Sequence, residues 1–193
     1  MTQVALAELI AGICAGKVAS FPTDTVPALA ALPDRADLIF KLKQRRQDKP
    51  LILMGAKASD LWDFVTGSVE EQQSWRQMAR LYWPGALTLV LPASTRVPQK
   101  MNPADPNTIG LRVPKSAIAQ DILAQTGPLA TTSANLSGQP PLATIAQIAV
   151  QFPDVLTSPQ AAANDGVGVP STVAKWTGSG WEILRQGAVK LEF

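Results

Sequence analysis

Apolar and polar positions along the 193-residue chain switch repeatedly between two periods. Helical spacing runs through MTQVALAELIAGICAGKV, through RADLIFKLKQRR, where Leu38, Ile39 and Leu42 share one face, and through the stretch from Ser68 to Tyr82. It returns in AIAQDILAQ and TIAQIAVQF. Thr2, Asp34, Ser68 and Ser116 occupy N-cap positions, and Ser68 with Glu71 has capping-box spacing. Gly16 and Gly127 stand where helices end. Between the helices lie short apolar or alternating runs: VASFP, LILM, ALTLVL, TIGLRVP, PLATTSAN and DVLTS. TVAKW-TGSG-WEILR reads as a hairpin with glycine in its connection. Interleaved helices and strands predict an α/β protein with a mixed sheet. No internal repeat or linker divides the chain, so residues 1–193 read as one domain. Residues 93–107 are the predicted mobile loop.

Hydrophobic residues make up 46% and charged residues 17%, the balance of a soluble globular chain rather than a disordered one. A net charge of +2 permits an anionic ligand but falls short of a dedicated nucleic-acid binder. The amino terminus lacks the basic region of a signal peptide, and no stretch approaches the roughly 18 apolar residues of a membrane span. A cytoplasmic protein is the expectation, with no membrane partner. The chain has no histidine and one cysteine, Cys14, which its apolar setting marks as a small buried hydrophobe. A histidine base, a histidine metal site and a disulfide framework are thereby excluded. Chemistry has to run on hydroxyls, amides, carboxylates and the cations of Lys and Arg.

Polar segments that follow strands or helices are the places for it: PTDT (22–25), KLKQRR (41–46), TIGLR (108–112), TTSANLSG (131–138), PST (170–172) and Arg185. Convergence of these groups would suit a phosphate-bearing ligand. Each has a plainer reading as well. FPTDTV (21–26) is either a capped turn or the lip of a site. The cations of KLKQRR complement a helix dipole, and TTSANLSG is turn-like. Arg112 is harder to set aside, because it sits in an apolar strand pattern and needs a partner there. Asp165-Gly166 reads as a turn. No GxxxxGK[ST] or GxGxxG occurs, so a nucleotide site here is neither a P-loop nor a standard dinucleotide fold.

In order, FPTDTVPALA (21–30), Lys43-Gln44-Arg45 followed by Pro50-Leu51, WPGALT (83–88), TIGLRVP, SANLSG (133–138), Ser171-Thr172-Val173 and Arg185-Gln186-Gly187 resemble the signatures of the YrdC family of threonylcarbamoyl-adenylate synthases. The resemblance covers about residues 4–190 and implies a YrdC-like twisted mixed sheet with flanking helices around a deep, positively charged cavity. Longer relatives carry a further carboxy-terminal domain that the 193 residues do not show.

The implied reaction converts L-threonine, bicarbonate and ATP to L-threonylcarbamoyl-AMP, pyrophosphate and water, for modification of an adenosine beside the tRNA anticodon. By position, the resemblance gives Thr23, Arg112, Thr131 and Ser171 to threonine. It gives Lys43, Arg45, Thr108, Ser133, Asn135 and Arg185 to ATP, the carbamate and the phosphates. Lys43 and Arg45 are then the catalytic cations, and Mg²⁺ arrives on the ATP phosphates. RNA or tRNA and the proteins of a tRNA threonylcarbamoyltransferase complex are the implied partners. The chain departs from the family pattern at Pro27-Ala28 (Tyr-Gly in the family), Arg46 (proline), Met54 (histidine) and near Pro141 (Ser or Thr). Those departures leave two other readings: a non-catalytic YrdC-like module that binds RNA or nucleotide, and an enzyme on the same fold with a different amine or carbamoyl donor.

Overall fold

The computed structural model describes residues 3–158 and 166–192. The Thr2 cap and the Asp165 half of the expected turn lie outside them. In chain order the elements are α1 (Leu6–Cys14), β1 (Ala19–Phe21), β2 (Ala28–Ala31), α2 (Ala36–Lys43), β3 (Ile52–Met54), α3 (Val69–Tyr82) and β4 (Leu87–Pro92). They continue with β5 (Thr108–Arg112), α4 (Ala117–Thr126), β6 (Leu129–Ser133), α5 (Ile145–Gln151), β7 (Leu156–Thr157), β8 (Thr172–Trp176) and β9 (Trp181–Arg185). Among the described residues the strands form one sheet in the order β7-β1-β2-β6-β3-β5-β4-β8-β9. Pairs β1/β7, β3/β5 and β4/β8 are parallel and the others antiparallel, so the sheet is mixed as predicted.

Strand alternation divides the core between two faces. On one, Phe21, Ala28, Ala30, Met54 and Leu129 pack with Leu9 and Ile13 of α1 and Ile122 and Leu123 of α4. On the other, Leu53, Leu89 and Leu111 meet Ile39 and Phe40 of α2 and Trp75 and Met78 of α3. Each of the Leu, Ile, Phe and Met side chains among them, fully buried, contributes on the order of 1.5–3 kcal/mol. Ala36, Ile39, Phe40 and Lys43 form the buried stripe of α2, so helical spacing alone carries a lysine into the interior. Ser68 and Glu71 make the predicted capping box of α3, and Ser116 caps α4.

Several expectations are corrected. Asp34 caps nothing: a 3₁₀ turn, Pro33–Arg35, precedes α2, whose N-cap is Arg35. The predicted helix through Arg46 stops at Lys43, because Gln44 adopts φ 50° and the Gln44 and Arg45 N–H groups close a Schellman motif on Lys41 and Phe40. Cys14 is exposed on the outer side of α1, since the buried stripe runs through Leu9, Gly12 and Ile13. The stretch 93–107 is tied down. Met101 is fully buried, the Leu51 N–H donates to its carbonyl at 2.9 Å, and Lys100 pairs with Asp37 at 3.0 Å. Strand β2 was not predicted at all, and it lies between β1 and β6 with every residue buried.

Candidate functional site

The turn after β1 is built by its own threonines. Thr23 Oγ1 donates to the Val26 carbonyl at 2.8 Å and accepts the Thr25 N–H at 3.2 Å. Its carboxylate and second hydroxyl face Arg112 at the end of β5. Arg112 Nη2 lies 2.7 Å from Asp24 Oδ1, Nη1 donates to Thr25 Oγ1 at 2.9 Å, and Nε donates to the Gly85 carbonyl at 3.2 Å. FPTDTV is therefore a turn and a clamp at once. Burial depresses the Arg112 guanidinium below its ordinary range, and the adjoining Asp24 carboxylate opposes this. Of five guanidinium N–H donors, three are thus engaged and two remain for a ligand.

Arg45 is placed by the end of α2. The left-handed Gln44 turns the chain out of the helix, and Arg45 donates from Nε to the Lys49 carbonyl at 2.9 Å and from Nη2 to the Pro50 carbonyl at 3.0 Å. Lys43, one residue before that turn, points the other way. Its Nζ, with no solvent exposure, donates to the carbonyls of Ser133 and Asn135 and to Asn135 Oδ1. Asn135 Nδ2 in turn donates to the Leu136 and Gln139 carbonyls at 2.8 and 2.7 Å, and the Ser137 N–H closes on the Lys43 carbonyl at 3.2 Å. Burial, then the neighbouring Arg45 charge, pushes the Lys43 ammonium down to about 7. Its three acceptors act in the opposite sense, favouring the charged form.

The remaining wall comes from the last hairpin. A register shift between Val173 and Ala174 sets Arg185 opposite Val173. From there Arg185 reaches the Ser171 carbonyl with Nε and Nη2 at 3.1 and 2.8 Å, while Ser171 Oγ lies 2.9 Å from Thr88 Oγ1. A Cβ on Gly187 would collide with the backbone of Pro170 and Ser171, which is why the residue two after this arginine has no side chain.

These elements enclose a cavity of about 140 Å³. Arg45, Arg112 and Arg185 are its charged lining; Val26, Ala28, Ile52 and Met54 are apolar, and Thr23, Thr131, Ser133 and Ser171 bring hydroxyls. No described lining residue is acidic. Burial depresses Arg45 and Arg185, and Arg185 further depresses Arg45 and Arg112. Asp24 answers Arg112 and Asp48 acts on Arg45, but no carboxylate enters the lining itself, and three guanidiniums there call for an anionic ligand. The cavity is below the roughly 300 Å³ at which drug-sized ligands are enclosed, so an amino acid fits inside and a nucleotide has to extend from its mouth. No group of three or more carboxylates or cysteines capable of holding a metal ion occurs among the described residues.

Seven residues singled out from the sequence converge here: Thr23, Arg45, Arg112, Thr131, Ser133, Ser171 and Arg185. Lys43 and Asn135 lie behind the wall, bonded to each other. Thr108 is not brought in. It opens β5 at the end opposite Arg112, and its hydroxyl is bonded to Asp105 at 3.0 Å and to Asn102 at 3.1 Å. Of the departures from the family pattern, Ala28 and Met54 form apolar wall, and Pro141 lines a separate small recess. Arg46 makes an exposed ion pair with Asp48 at 2.7 Å. Asp24 and Thr25 were missed as site residues, although the need of Arg112 for a partner pointed to a carboxylate somewhere in the chain.

Residues 12–187 match the Sua5/YciO/YrdC family, described as "Telomere recombination". A threonylcarbamoyl-AMP synthase of Bacillus subtilis (strain 168) is 32% identical over 194 residues, covering 97% of this chain and 54% of that protein. One from Vibrio campbellii is 32% identical over 184 residues, covering 93% of this chain and 97% of that protein. The structure of P. abyssi Sua5 complexed with L-threonine superposes with a TM-score of 0.81 at 31% identity, over 94% of this chain and 54% of that one. The chain thus spans about half the length of the Bacillus and P. abyssi proteins and nearly all of the Vibrio one. No described helix is long and apolar enough to cross a membrane.

Proposed function

Because the chain belongs to the Sua5/YciO/YrdC family, we propose that it is a threonylcarbamoyl-AMP synthase, making L-threonylcarbamoyl-AMP and pyrophosphate from L-threonine, bicarbonate and ATP. The observation that carries this is the amino-acid-sized cavity with three arginines in its lining and no acidic lining residue. The two unengaged N–H donors of Arg112 suit the threonine carboxylate, and Thr23, Thr131 and Ser171 surround that position. Threonine amine and bicarbonate give a carbamate with loss of water. A carbamate oxygen attacks the α-phosphorus, and the bond to the β-phosphate breaks. Charge then builds on phosphoryl oxygens, where Arg45 and Arg185, at the open side of the cavity, stabilise it. Positioning and electrostatics suffice for such a step, consistent with a chain that has no histidine.

Lys43 serves this site as a positioning residue: it holds the Ser133–Asn135 turn and leaves contact with the nucleotide to Ser133 and the arginines. With no protein-built carboxylate cage among the described residues, Mg²⁺ would be carried by the triphosphate. A tRNA threonylcarbamoyltransferase assembly would consume the product, and residues 1–193 would act as one catalytic domain.

The test measures pyrophosphate with each substrate omitted in turn. Release should require threonine, bicarbonate and ATP together, and Arg45→Ala should lower it by about tenfold or more, the loss of one charge-assisted contact. Release without threonine, or Arg45→Ala at the rate of the unmodified protein, would sink the proposal. A different amino acid replacing threonine with equal efficiency would assign the site to another amine.

A further inference from the structure

A second cavity, of about 370 Å³, lies against the Trp83–Gly85 turn, which is not part of the first cavity's lining. Trp83 and Pro84 line it, whereas the Gly85 carbonyl faces Arg112. Its floor is aromatic: Trp62 and Trp83 stack with centroids 5.9 Å apart and planes inclined by 28°. Arg76 lies 4.7 Å from the centroid of the Trp62 ring, and Arg80 and Lys57 complete a cationic rim.

None of the three cations is in an ion pair among the described residues, and no lining residue is acidic. The nearby carboxylates are already engaged, Asp60 with the Lys57 backbone N–H at 3.1 Å and Asp63 with Arg96 at 2.7 Å. Arg76 reaches only Gln72, at 3.5 Å. Cations spaced along a helix merely to solvate it would not gather, together with Lys57 from another segment, around an aromatic concavity.

Each half of the lining restricts the ligand. An inorganic anion leaves the tryptophan floor unused, and a neutral apolar molecule leaves the cationic rim without a counter-charge. A flat heteroaromatic ring bearing a doubly charged group satisfies both, and the volume falls in the range that encloses such a molecule. We propose that this cavity is a second binding site, for a free mononucleotide, with the base on Trp62 and Trp83 and the phosphate held by Lys57, Arg76 and Arg80. The proposal stands on this cavity alone and does not depend on the activity assigned to the first.

The test is a titration of the full chain with AMP, followed by tryptophan fluorescence. No aromatic residue lines the Arg112 cavity, so ligand entering there does not stack on a tryptophan. AMP should quench saturably, with adenosine and inorganic phosphate each binding at least about tenfold more weakly. Arg76→Ala with Arg80→Ala should weaken AMP by about tenfold or more, and both positions are on the solvent side of α3, so folding is retained. Trp62→Leu should remove most of the quenching, and Arg45→Ala should leave it unchanged. Equal binding of adenosine, loss of the signal in Arg45→Ala, or its retention in the double variant would overturn the site. So would quenching by a single-stranded oligonucleotide with none by AMP.

Discussion

Replacing Asp24 by Asn keeps the size of the side chain and removes the one charge that answers Arg112. The two side chains are only 11% and 5% exposed, and the contact is 2.7 Å. Removing one partner of a buried pair costs about 3–5 kcal/mol, because the other charge is left desolvated. The lower end applies here. Arg112 keeps its bonds to Thr25 Oγ1 and Gly85, and it lines a cavity that water and small anions can enter. A loss of about 3 kcal/mol is expected, which for a chain of this size lowers Tm by roughly 6–12 °C. Urea denaturation followed by tryptophan fluorescence measures it. Sulfate should restore part of the loss in Asp24→Asn and do less for the unmodified protein, since in the variant Arg112 has lost its carboxylate partner. Adding Arg112→Met to Asp24→Asn should cost far less than the sum of the two single changes. A loss below about 1 kcal/mol, or strict additivity, would refute the coupling argued from the geometry.

Three further outcomes follow from other contacts. Lys43 is held near 7 in the folded chain and ordinarily titrates at 10.5. The unfolded state therefore binds more protons between those values, and stability should rise as pH is raised from about 7 towards 10, by up to about 1.4 kcal/mol per unit. Denaturation midpoints over that range should show the slope, and Lys43→Met should flatten it; an unchanged slope would count against the assignment. Gly166→Ala places a Cβ 2.6 Å from the Thr25 carbonyl and 2.9 Å from that of Thr23, so about 1–3 kcal/mol should be lost, with weaker protection by threonine in a thermal shift assay. Ser68→Ala should cost about 1 kcal/mol through α3 alone and leave pyrophosphate release untouched, as measured by denaturation beside the activity assay.

What the residues disclose in advance follows the range of the physics behind them. The capping box at Ser68 and the stop at Gly127 are local, and both were legible. Arg112 was legible as a residue needing a partner. Which carboxylate it takes was not, because Asp24 is brought to it only by the strand path β2-β6-β3-β5, antiparallel in its first two steps and parallel in the last. Strand β2 was missed because Ala-Leu-Ala-Ala has neither alternation nor β-branched residues. Its only cue is a short apolar run bounded by Pro27 and Pro33, and the small side chains suit a strand buried on both faces. Lys43 is the opposite case. Its charge pointed to solvent or ligand, whereas its helical phase with Ile39 and Phe40 placed it in the interior. Thr108 and Arg112 belong to one motif by spacing, yet a strand carries its two ends apart, and only the second reaches the cavity.

The order of the strands also bears on when the first cavity comes into being. Ala19 pairs with Leu156 and Leu87 with Thr172, far apart in sequence, and Arg185 then folds back locally on Ser171 to complete the wall. Such contacts close late, after the local helices and turns have formed. A chain still emerging from the ribosome has Asp24, Arg45 and Arg112 well before it has the segment that encloses them. Tight anion binding by chains truncated before Trp181 would contradict this. Ligand capture is accordingly a property acquired with the β8–β9 hairpin, and it reports that this hairpin has closed on Ser171.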